Sequence, residues 1–434
     1  MLKNLSKKIA CTSLAALMLS TALSVPVSAR SLKAKDIAVS TDLIDLKKEE
    51  AALELINSNE LNPMDSLNEF SFDFFKEVIK ENGTEKNSVM SALSAYYALG
   101  MLSLGAEGKT EDELEKALGL DSDDAALVCK ELMDVFETLT QCSKTKLSIA
   151  NAAFYSDKLK ISDSDTFKEL ARFYKAGAYR GELSTTKARE FINAWASEKT
   201  DKMIPELFTE NLDEDTVLLL INAILLDAKW AEPFDNFGME NTMNFTNPKG
   251  TKSTVGALID ERSIEYIKTK DVTGAILDYS DNRLKFAAFM PSDGDMKGFL
   301  NSLDAEEFTN LVSSAKKGRC LLKMPKFSIE SSIELNDILK SIGVKTAFDP
   351  NKADLSDFGK CGNGNVYVSR VFQKAKIDVD EEGTKAAAVT AIAAMNTTAL
   401  REPPIPITID HSFFYCVYDS ETNVPLFMGV VSEP

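Results

Sequence analysis

The chain has 434 residues, 44% of them hydrophobic, which is enough apolar material for one large core or two smaller ones. Its 67 acidic and 49 basic residues give a formal net charge of −18, which favours solubility and argues against nucleic acid as a partner. The cysteines are scattered without close pairing, so we expect buried, reduced thiols and no disulfide framework. They are Cys11, Cys129, Cys142, Cys320, Cys361 and Cys416.

The N-terminus has the pattern of a secretory signal peptide, in a bacterial style. Three lysines among the first eight residues precede a largely apolar run over residues 9–23, and residues 27–29 supply small side chains for signal peptidase. We expect cleavage before Arg30, so that residues 1–29 are removed. No later stretch is long and apolar enough to span a bilayer. The expected mature protein is soluble and secreted or held at the cell surface, with no membrane insertion.

Helical patterns dominate the next part of the chain. Residues 30–63 are charged and weakly patterned, apart from a helical stretch over 43–56, and are interpreted as an extension before the fold. Apolar positions then recur at helical spacing from Leu67 until Asn82 and Gly83, which stop a helix. Further helices are predicted over residues 91–104, 111–118 and 125–138.

Strand patterns become frequent farther along. Residues 217–227 form an apolar run of strand length, residues 285–290 have a strand pattern, and residues 321–329 alternate as a strand before a helix over 333–342. Helices and strands interleave without a regular βαβ period, which favours an α+β fold. Neither an internal repeat nor a domain-splitting linker is evident, so residues 64–434 are predicted to form one domain.

The patterns of the common enzyme classes are missing. A single histidine, His411, excludes a His-rich metal site, and in a strand its neighbour Asp410 would point away from it, which weakens a Ser-His-Asp triad. There is no G-x-S-x-G and no C-x-x-C. A phosphate loop over residues 105–110 would need glycine in place of Ser103, and residues 362–364 lack the third glycine of a dinucleotide loop. We expect no enzyme, no catalytic residue, no metal and no cofactor, and interpret His411 as structural.

Residues 380–395 combine acidic residues, a glycine and a threonine with a run of very small side chains. Alanine favours helix, but the stretch has no apolar stripe that would hold a helix against a core. By itself the pattern favours a solvated Ala-rich helix or a linker. Small side chains would also fit as a strand into a crowded sheet.

This stretch resembles the reactive-loop hinge of the serpins, and five other segments resemble the same family in the right order. They are NSVMSALS (87–94) with MLSLGA (101–106), NAAF (151–154), FINAW (191–195) with KMI (202–204), LLINAI (219–224) with KW (229–230), and PLFMG (425–429). The resemblance runs from about Leu67 to Val431. Six matches in order are specific to the family.

The resemblance implies a serpin fold of the α+β class, with three β-sheets, about eight or nine helices and an exposed reactive-centre loop. It also implies suicide inhibition of serine proteases by a monomer. In that mechanism the protease cuts the loop and forms an acyl-enzyme, and the loop inserts into the large sheet and drags the protease with it. The protease is thereby trapped covalently.

The resemblance assigns hinge residues. They are Glu381, Glu382, Gly383, Thr384, Ala386, Ala388 and Thr390. Since side chains alternate between the faces of a strand, the even-numbered residues from Thr384 to Ala394 would face the core, and none of them is charged. Lys385 falls on the solvent-facing phase. Burial of an unpaired charge would slow insertion, so the absence of charge at the core-facing positions favours an inhibitor.

The same resemblance assigns residues where the sheet would open. Ser91, Ser94 and Asn222 match the family's shutter, and Trp230 matches its breach tryptophan. Gln373 replaces the usual shutter histidine, so we expect a polar network there without pH dependence. A usual proline is replaced by Ala92. Ordinary core packing is the alternative interpretation of each residue.

Two counts place the scissile bond differently. Counting from the hinge at the family's spacing gives Thr397–Thr398, whereas counting back from the strand that contains Phe413 gives Arg401–Glu402, because the loop is a few residues longer than usual. Met395 is a further possibility if the cut falls two residues early.

The two bonds predict different targets, because a small residue suits elastase-like proteases and arginine suits trypsin-like ones. The first count is preferred, since the inserting length is measured from the hinge, and elastase-like serine proteases are the expected partners. The alternatives are a non-inhibitory binding or structural protein of the cell envelope, an inhibitor of trypsin-like proteases, and a secreted enzyme.

Overall fold

The computed structural model describes residues 32–34, 63–140, 145–161, 165–234, 241–362, 364–384 and 403–434. Within these ranges the α-helices are α1 (Pro63–Asn82), α2 (Ala92–Ser103), α3 (Gly108–Leu118), α4 (Ser122–Thr140), α5 (Asp165–Phe173), α6 (Thr186–Lys199), α7 (Met296–Ser302), α8 (Ala305–Ser314) and α9 (Asn336–Ser341). No helix among the described residues is both long and apolar enough to cross a membrane.

The strands are β1 (Leu32–Ala34), β2 (Ser88–Met90), β3 (Thr145–Ser156), β4 (Leu159–Lys160), β5 (Gly177–Gly181), β6 (Leu218–Lys229), β7 (Thr242–Thr246), β8 (Lys252–Lys268), β9 (Val272–Asp278), β10 (Leu284–Pro291), β11 (Lys316–Pro325), β12 (Phe327–Glu334), β13 (Lys360–Cys361), β14 (Phe372–Val379), β15 (Gly383–Thr384), β16 (Ile405–Thr408), β17 (Phe413–Asp419) and β18 (Pro425–Val431).

These strands form three sheets. A seven-stranded sheet has the order β1-β5-β3-β6-β15-β14-β12, and a two-stranded sheet pairs β13 with β4. The nine-stranded sheet has the order β16-β11-β8-β9-β10-β17-β18-β2, with β7 paired to β8 off this path. The predicted α+β class, with three sheets and about nine helices in the described ranges, is confirmed.

The seven-stranded sheet is covered on both faces. On one face β6 contributes Leu226 and Ala228 to the main core, which also contains buried residues of α1, α2 and the nine-stranded sheet. On the other face Leu219 and Ile221 of β6 pack with Trp195 of α6 in a second cluster. Even-numbered residues of β6 therefore face the main core, and odd-numbered residues lie beneath α6.

Two predicted elements were wrong in their bounds. The strand predicted over residues 321–329 is two strands in different sheets, because the chain turns at Lys326 between β11 and β12. The helix predicted over 333–342 is confined to α9, since Ile333 pairs with Gln373 as part of β12. The local alternation could not show that one apolar run serves two sheets.

The N-terminal predictions fall largely outside the described residues, including the signal peptide over 1–29 and the helix over 43–56. Within the predicted extension, β1 pairs antiparallel with β5 and forms an edge of the seven-stranded sheet.

The cysteines that the structure describes are unpaired. Cys129, Cys320 and Cys416 are buried, and burial raises the pKa of the Cys129 and Cys416 thiols. Cys361 is only half-buried, so the expectation of buried thiols is wrong there, because the two-residue strand β13 lies near the surface. Cys11 and Cys142 lie outside the described residues.

A tight strand contact is predicted to make Gly429 essential for stability. A Cβ atom at Gly429 would overlap the carbonyl oxygen of Ser88 and the ring of Tyr415. We expect Gly429→Ala to lower the free energy of unfolding by about 1–3 kcal/mol or more, because backbone atoms cannot easily move aside. Gly364→Ala is the control, since its Cβ would meet only the Cys361 carbonyl oxygen at 3.8 Å. Equal urea midpoints for the two variants would contradict the prediction.

Candidate functional site

The hinge residues Gly383 and Thr384 form β15, a two-residue strand between β6 and β14. Gly383 pairs with Lys229, while Thr384 pairs with Ala228 on one side and Val379 on the other. Gly383 has φ +157, and a Cβ atom there would overlap the carbonyl oxygen of Ala228. Glycine is therefore required where the chain enters the sheet.

β6 and β14 are joined only through β15 in the described part of the chain. β14 pairs along its length with β12, and β6 pairs along its length with β3, but β6 and β14 share no backbone ladder with each other. The pairing at Gly383 and Thr384 is thus the beginning of a strand between them. Its position defines the register that any continuation would follow.

A turn at Asp380 carries the chain from β14 into β15. The Asp380 carboxylate accepts hydrogen bonds from the amides of Glu382 (2.9 Å) and Gly383 (3.2 Å). The Asp380 amide donates to the Gly383 carbonyl at 3.0 Å, and the Trp230 indole Nε1 donates to the Asp380 carbonyl at 2.9 Å. The hairpin from β14 to β15 is therefore already closed in this structure.

Burial raises the pKa of the Asp380 carboxyl above its usual value. The charges of Glu381 and Glu382 act in the same direction, while the two accepted amide hydrogen bonds act against it. The charged form of this turn is consequently held at some cost in free energy.

Glu381 and Glu382 attach the turn to its surroundings. Lys326, at the corner between β11 and β12, pairs with the Glu381 carboxylate at 3.0 Å, and both side chains are largely buried. The backbone carbonyls of Glu381 and Glu382 accept from the amides of Phe234 (2.8 Å) and Trp230 (2.9 Å). The segment that follows β6 is thus tied to the hinge by backbone as well as side-chain contacts.

Thr384 points into the main core. It is 2% exposed, and its hydroxyl shares a 2.5 Å hydrogen bond with the hydroxyl of Tyr279. The Tyr279 ring stacks on Trp230, with centroids 4.7 Å apart and planes 10° apart. A small polar side chain therefore occupies the first core-facing position of the hinge and is fully satisfied there.

Gln373 and Ser91 are held together by two hydrogen bonds. The Gln373 side chain accepts from the Ser91 amide at 3.1 Å and donates to the Ser91 carbonyl at 2.7 Å. Ser91 is also the N-cap of α2, since its hydroxyl accepts from the amide of the buried Ser94 at 3.2 Å. The glutamine thus fixes β14 to the start of α2 without a titratable group.

Asn222 is bonded to a different partner. Its amide donates to the Asn151 side chain on β3 at 2.7 Å, and Asn151 donates to the Tyr174 carbonyl at 2.6 Å. The Asn222 Oδ1 atom is buried and has no hydrogen-bond partner among the described residues. The expected shutter network is therefore two separate pairs. One pair involves β6 and the other involves β14, the two strands on either side of β15.

The sequence assigned the hinge and shutter residues but missed several that position them. Asp380 had a local signal, as an aspartate directly before a glycine-containing turn. Lys326 and Tyr279 carried none, because they reach the site from distant parts of the chain, and Asn151 lay in the matched segment NAAF without an assigned role. The assigned residues Ala386, Ala388, Thr390, Met395, Thr397, Thr398 and Arg401 lie outside the described residues.

The expectation that Asp410 points away from His411 was wrong. Asp410 Oδ1 lies 2.7 Å from His411 Nδ1, because His411 forms only an isolated bridge with Thr246 and is not in a regular strand. Among the described residues no serine hydroxyl bonds to this ring, and no cluster of three or more His, Cys, Asp or Glu residues could hold a metal.

Comparison with known proteins identifies the family. A family model described as serpin (serine protease inhibitor) matches residues 65–434. Serpin A3-1 of Bos taurus is 32% identical over 386 residues, covering 84% of this chain and 88% of the relative. The leukocyte elastase inhibitor of Xenopus laevis is 31% identical over 388 residues, covering 84% of this chain and 97% of the relative.

A solved structure agrees with these relatives. The thermophilic serpin tengpin in its native state has a TM-score of 0.78 at 30% identity, covering 86% of this chain and 94% of that chain. The chain therefore belongs to the serpin family. Serpins are in general protease inhibitors rather than catalysts, and homologues of this chain target serine proteases.

The half-buried turn at Asp380 predicts a pH-dependent effect of Asp380→Asn. Because the pKa of Asp380 is higher in the folded than in the unfolded chain, its ionisation destabilises the intact fold. This loss of folding stability is complete at a pH above the pKa of Asp380 in the folded chain. It disappears at a pH below the pKa in the unfolded chain, about 3.9. Asparagine keeps an acceptor oxygen for the two amides, so we expect Asp380→Asn to raise the denaturation midpoint at pH 7, with a gain that shrinks toward pH 4.

Asp337→Asn is the control for loss of one carboxylate, because Asp337 is 84% exposed. A gain from Asp380→Asn that stays constant between pH 7 and pH 4 would show that the charge of Asp380 is not the cause.

Proposed function

We propose that this chain is a secreted, monomeric suicide inhibitor of elastase-like serine proteases and has no catalytic activity of its own. The observation that carries the proposal is β15, which begins a strand between β6 and β14 where these strands have no ladder with each other. After cleavage, the released loop would continue this strand.

The pairing at the hinge supplies a register for that insertion. Thr384 lies between Ala228 and Val379. One step down the ladder for each residue of the loop would bring Ala386 to Leu226 and Ala394 to Leu218, at the far end of β6. The even-numbered loop residues would then share the core-facing side with Thr384, as the sequence predicts.

The same register would bring Thr390 between Asn222 and Gln373, which face the same side. The buried Asn222 Oδ1 atom, unpartnered among the described residues, could accept the Thr390 hydroxyl. A threonine in the middle of an alanine-rich run thus has a specific role in the inserted state. The two shutter pairs would be bridged by the loop.

Insertion is favourable because the backbone groups along β6 and β14 gain partners. Each backbone hydrogen bond contributes about 1 kcal/mol net, so a ladder of ten residues with two neighbours stabilises by on the order of ten kcal/mol. The intact protein is accordingly metastable relative to its cleaved form. This difference drives the displacement of the attached protease.

The register also favours cleavage at Thr397–Thr398. If insertion ends at Ala394, opposite the end of β6, only three residues remain before that bond, or about 10 Å of extended chain. A cut after Arg401 would leave seven residues, about 24 Å. The longer tether would press the protease less firmly against the inhibitor. An acyl-enzyme without distortion would hydrolyse, and the chain would behave as a substrate.

A small residue before the bond favours an elastase-like target, and the name of the Xenopus relative, leukocyte elastase inhibitor, agrees with this class. The signal-peptide pattern supports secretion.

Covalent trapping is predicted to require uncharged side chains at the core-facing positions of the loop, beginning with Thr384. Wild-type protein incubated with an elastase should give a protease–inhibitor band that survives boiling in detergent. Thr384→Arg should reduce the trapped fraction about tenfold or more, because a charged side chain cannot occupy the buried site beside Tyr279 and would keep the start of the loop out of the sheet. Cleavage of the loop should continue at a similar rate.

Lys385→Glu is the matched control, since it changes a charge one residue away on the opposite phase, and its trapped fraction should equal that of the wild type. Active protease with cleaved fragments alone, for wild type, would reject inhibition and favour a binding or structural role.

The cleavage position has a separate test. Mass spectrometry of the C-terminal peptide from the trapped complex should give a peptide that starts at Thr398, because that cut leaves the shortest tether. A peptide starting at Glu402 would instead assign Arg401 and trypsin-like targets, while a peptide starting at Asn396 would assign Met395.

A further inference from the structure

Arg262 on β8 is a buried cation. Its side chain is 6% exposed, and it forms an ion pair with Asp260 on the same strand. The Asp260 Oδ2 atom accepts from Nη2 at 2.6 Å and from Nε at 3.2 Å. A buried guanidinium is costly unless its N–H groups are satisfied, and this ion pair leaves donors on Nη1 and Nη2 that need acceptors elsewhere.

Those acceptors lie in the segment that follows β6. Nη1 donates to the Glu232 carbonyl at 2.6 Å, and Nη2 donates to the Pro233 carbonyl at 3.1 Å. The guanidinium carbon lies 3.7 Å from the centroid of the Phe234 ring, which is a cation–π contact. One side chain therefore contacts three consecutive residues of this segment.

The segment that Arg262 contacts also holds the hinge turn. The Phe234 amide donates to the Glu381 carbonyl at 2.8 Å, and the Phe234 ring packs edge-on against Trp230. Trp230 in turn donates its indole N–H to the Asp380 carbonyl. Arg262 thus reaches the hinge through Phe234.

The backbone of Arg262 is aligned with the other end of the reactive loop. Arg262 pairs with Cys320 of β11, and Cys320 pairs with Ile405, the first residue of β16. The chain between β15 and β16 contains the reactive-centre loop. The residue that contacts the segment beside the start of the loop therefore lies in one backbone row with the strand that follows the loop.

We propose that Arg262 is a positioning residue for protease trapping, because it holds residues 232–234 where they fix the hinge turn. This inference rests on the proposed suicide inhibition and assigns it a further residue. Trapping is a competition between loop insertion and hydrolysis of the acyl-enzyme. A turn that must first be ordered again delays insertion and favours hydrolysis. A residue with a structural role alone would change stability without changing the trapped fraction of the folded inhibitor.

The test uses a Trp195→Phe background, in which Trp230 is the remaining tryptophan and its fluorescence reports on the segment that holds the hinge. Arg262→Met keeps an unbranched side chain but removes the donors to Glu232 and Pro233. We expect the trapped fraction of folded inhibitor to fall about fivefold or more, because hydrogen bonds from a charged donor are strong. The Trp230 emission of the intact variant should move to longer wavelength, since water reaches a loosened segment.

Two further variants complete the test. Arg262→Lys keeps the charge, but an ammonium group lacks the planar fork that serves two carbonyls and a ring, so the trapped fraction should fall only about twofold. If Arg262→Met does not fold, Arg262→Lys carries the test. Arg319→Met is the matched control, because Arg319 lies on the neighbouring strand β11 and pairs with Glu261. Its trapped fraction and its Trp230 emission should equal those of the background protein.

An unchanged trapped fraction in folded Arg262 variants would overturn the proposal, whatever their melting temperatures, and would leave the proposed inhibition intact. A lower trapped fraction without a change in Trp230 emission, or an equal loss in Arg319→Met, would also overturn it, because the cause would then lie away from the segment that holds the hinge. If the wild type and the background protein trap no protease, the proposed function and this role of Arg262 fail together.

Discussion

The structure depends on β15, the two-residue strand that joins β6 to β14 in the described part of the chain. Each of the two is paired on its other side, to β3 and to β12, and in the described part of the chain only Gly383 and Thr384 join them. A buried backbone amide or carbonyl without a partner is costly, and the proposed insertion would supply partners along both strands. Gly383 and Thr384 already supply such partners at one end of the two strands.

The turn at Asp380 holds the chain where β15 begins. Its carboxylate holds the amides of Glu382 and Gly383, and Trp230 and Lys326 hold the segment from outside the loop. The reversal of chain direction between β14 and β15, with its cost in conformational entropy, is thereby complete in this structure. In the proposed insertion, only elongation of this hairpin would remain. The buried carboxyl is retained despite its desolvation because it closes the hairpin.

The shutter residues show how the polar groups near the opening are distributed. Gln373 bonds to the backbone of Ser91, while Asn222 bonds to Asn151, so the two sides of the sheet are satisfied separately. Such an arrangement allows separation of the sides without breaking a hydrogen bond between them. Because neither glutamine nor asparagine titrates, the intact shutter pairs are independent of pH, in contrast to the turn at Asp380.

By itself the sequence determined the family, the α+β class, the positions of α1 to α4 and the uncharged alternation of the hinge, because these follow from local periodicity and ordered motifs. The tertiary structure decided the partners. It divided one apolar run into β11 and β12 at Lys326, placed Tyr279 against Thr384, and paired Asn222 with Asn151 rather than with Gln373. Residues far apart in the chain meet only through sheet order and register, and local patterns do not specify which strand lies beside which.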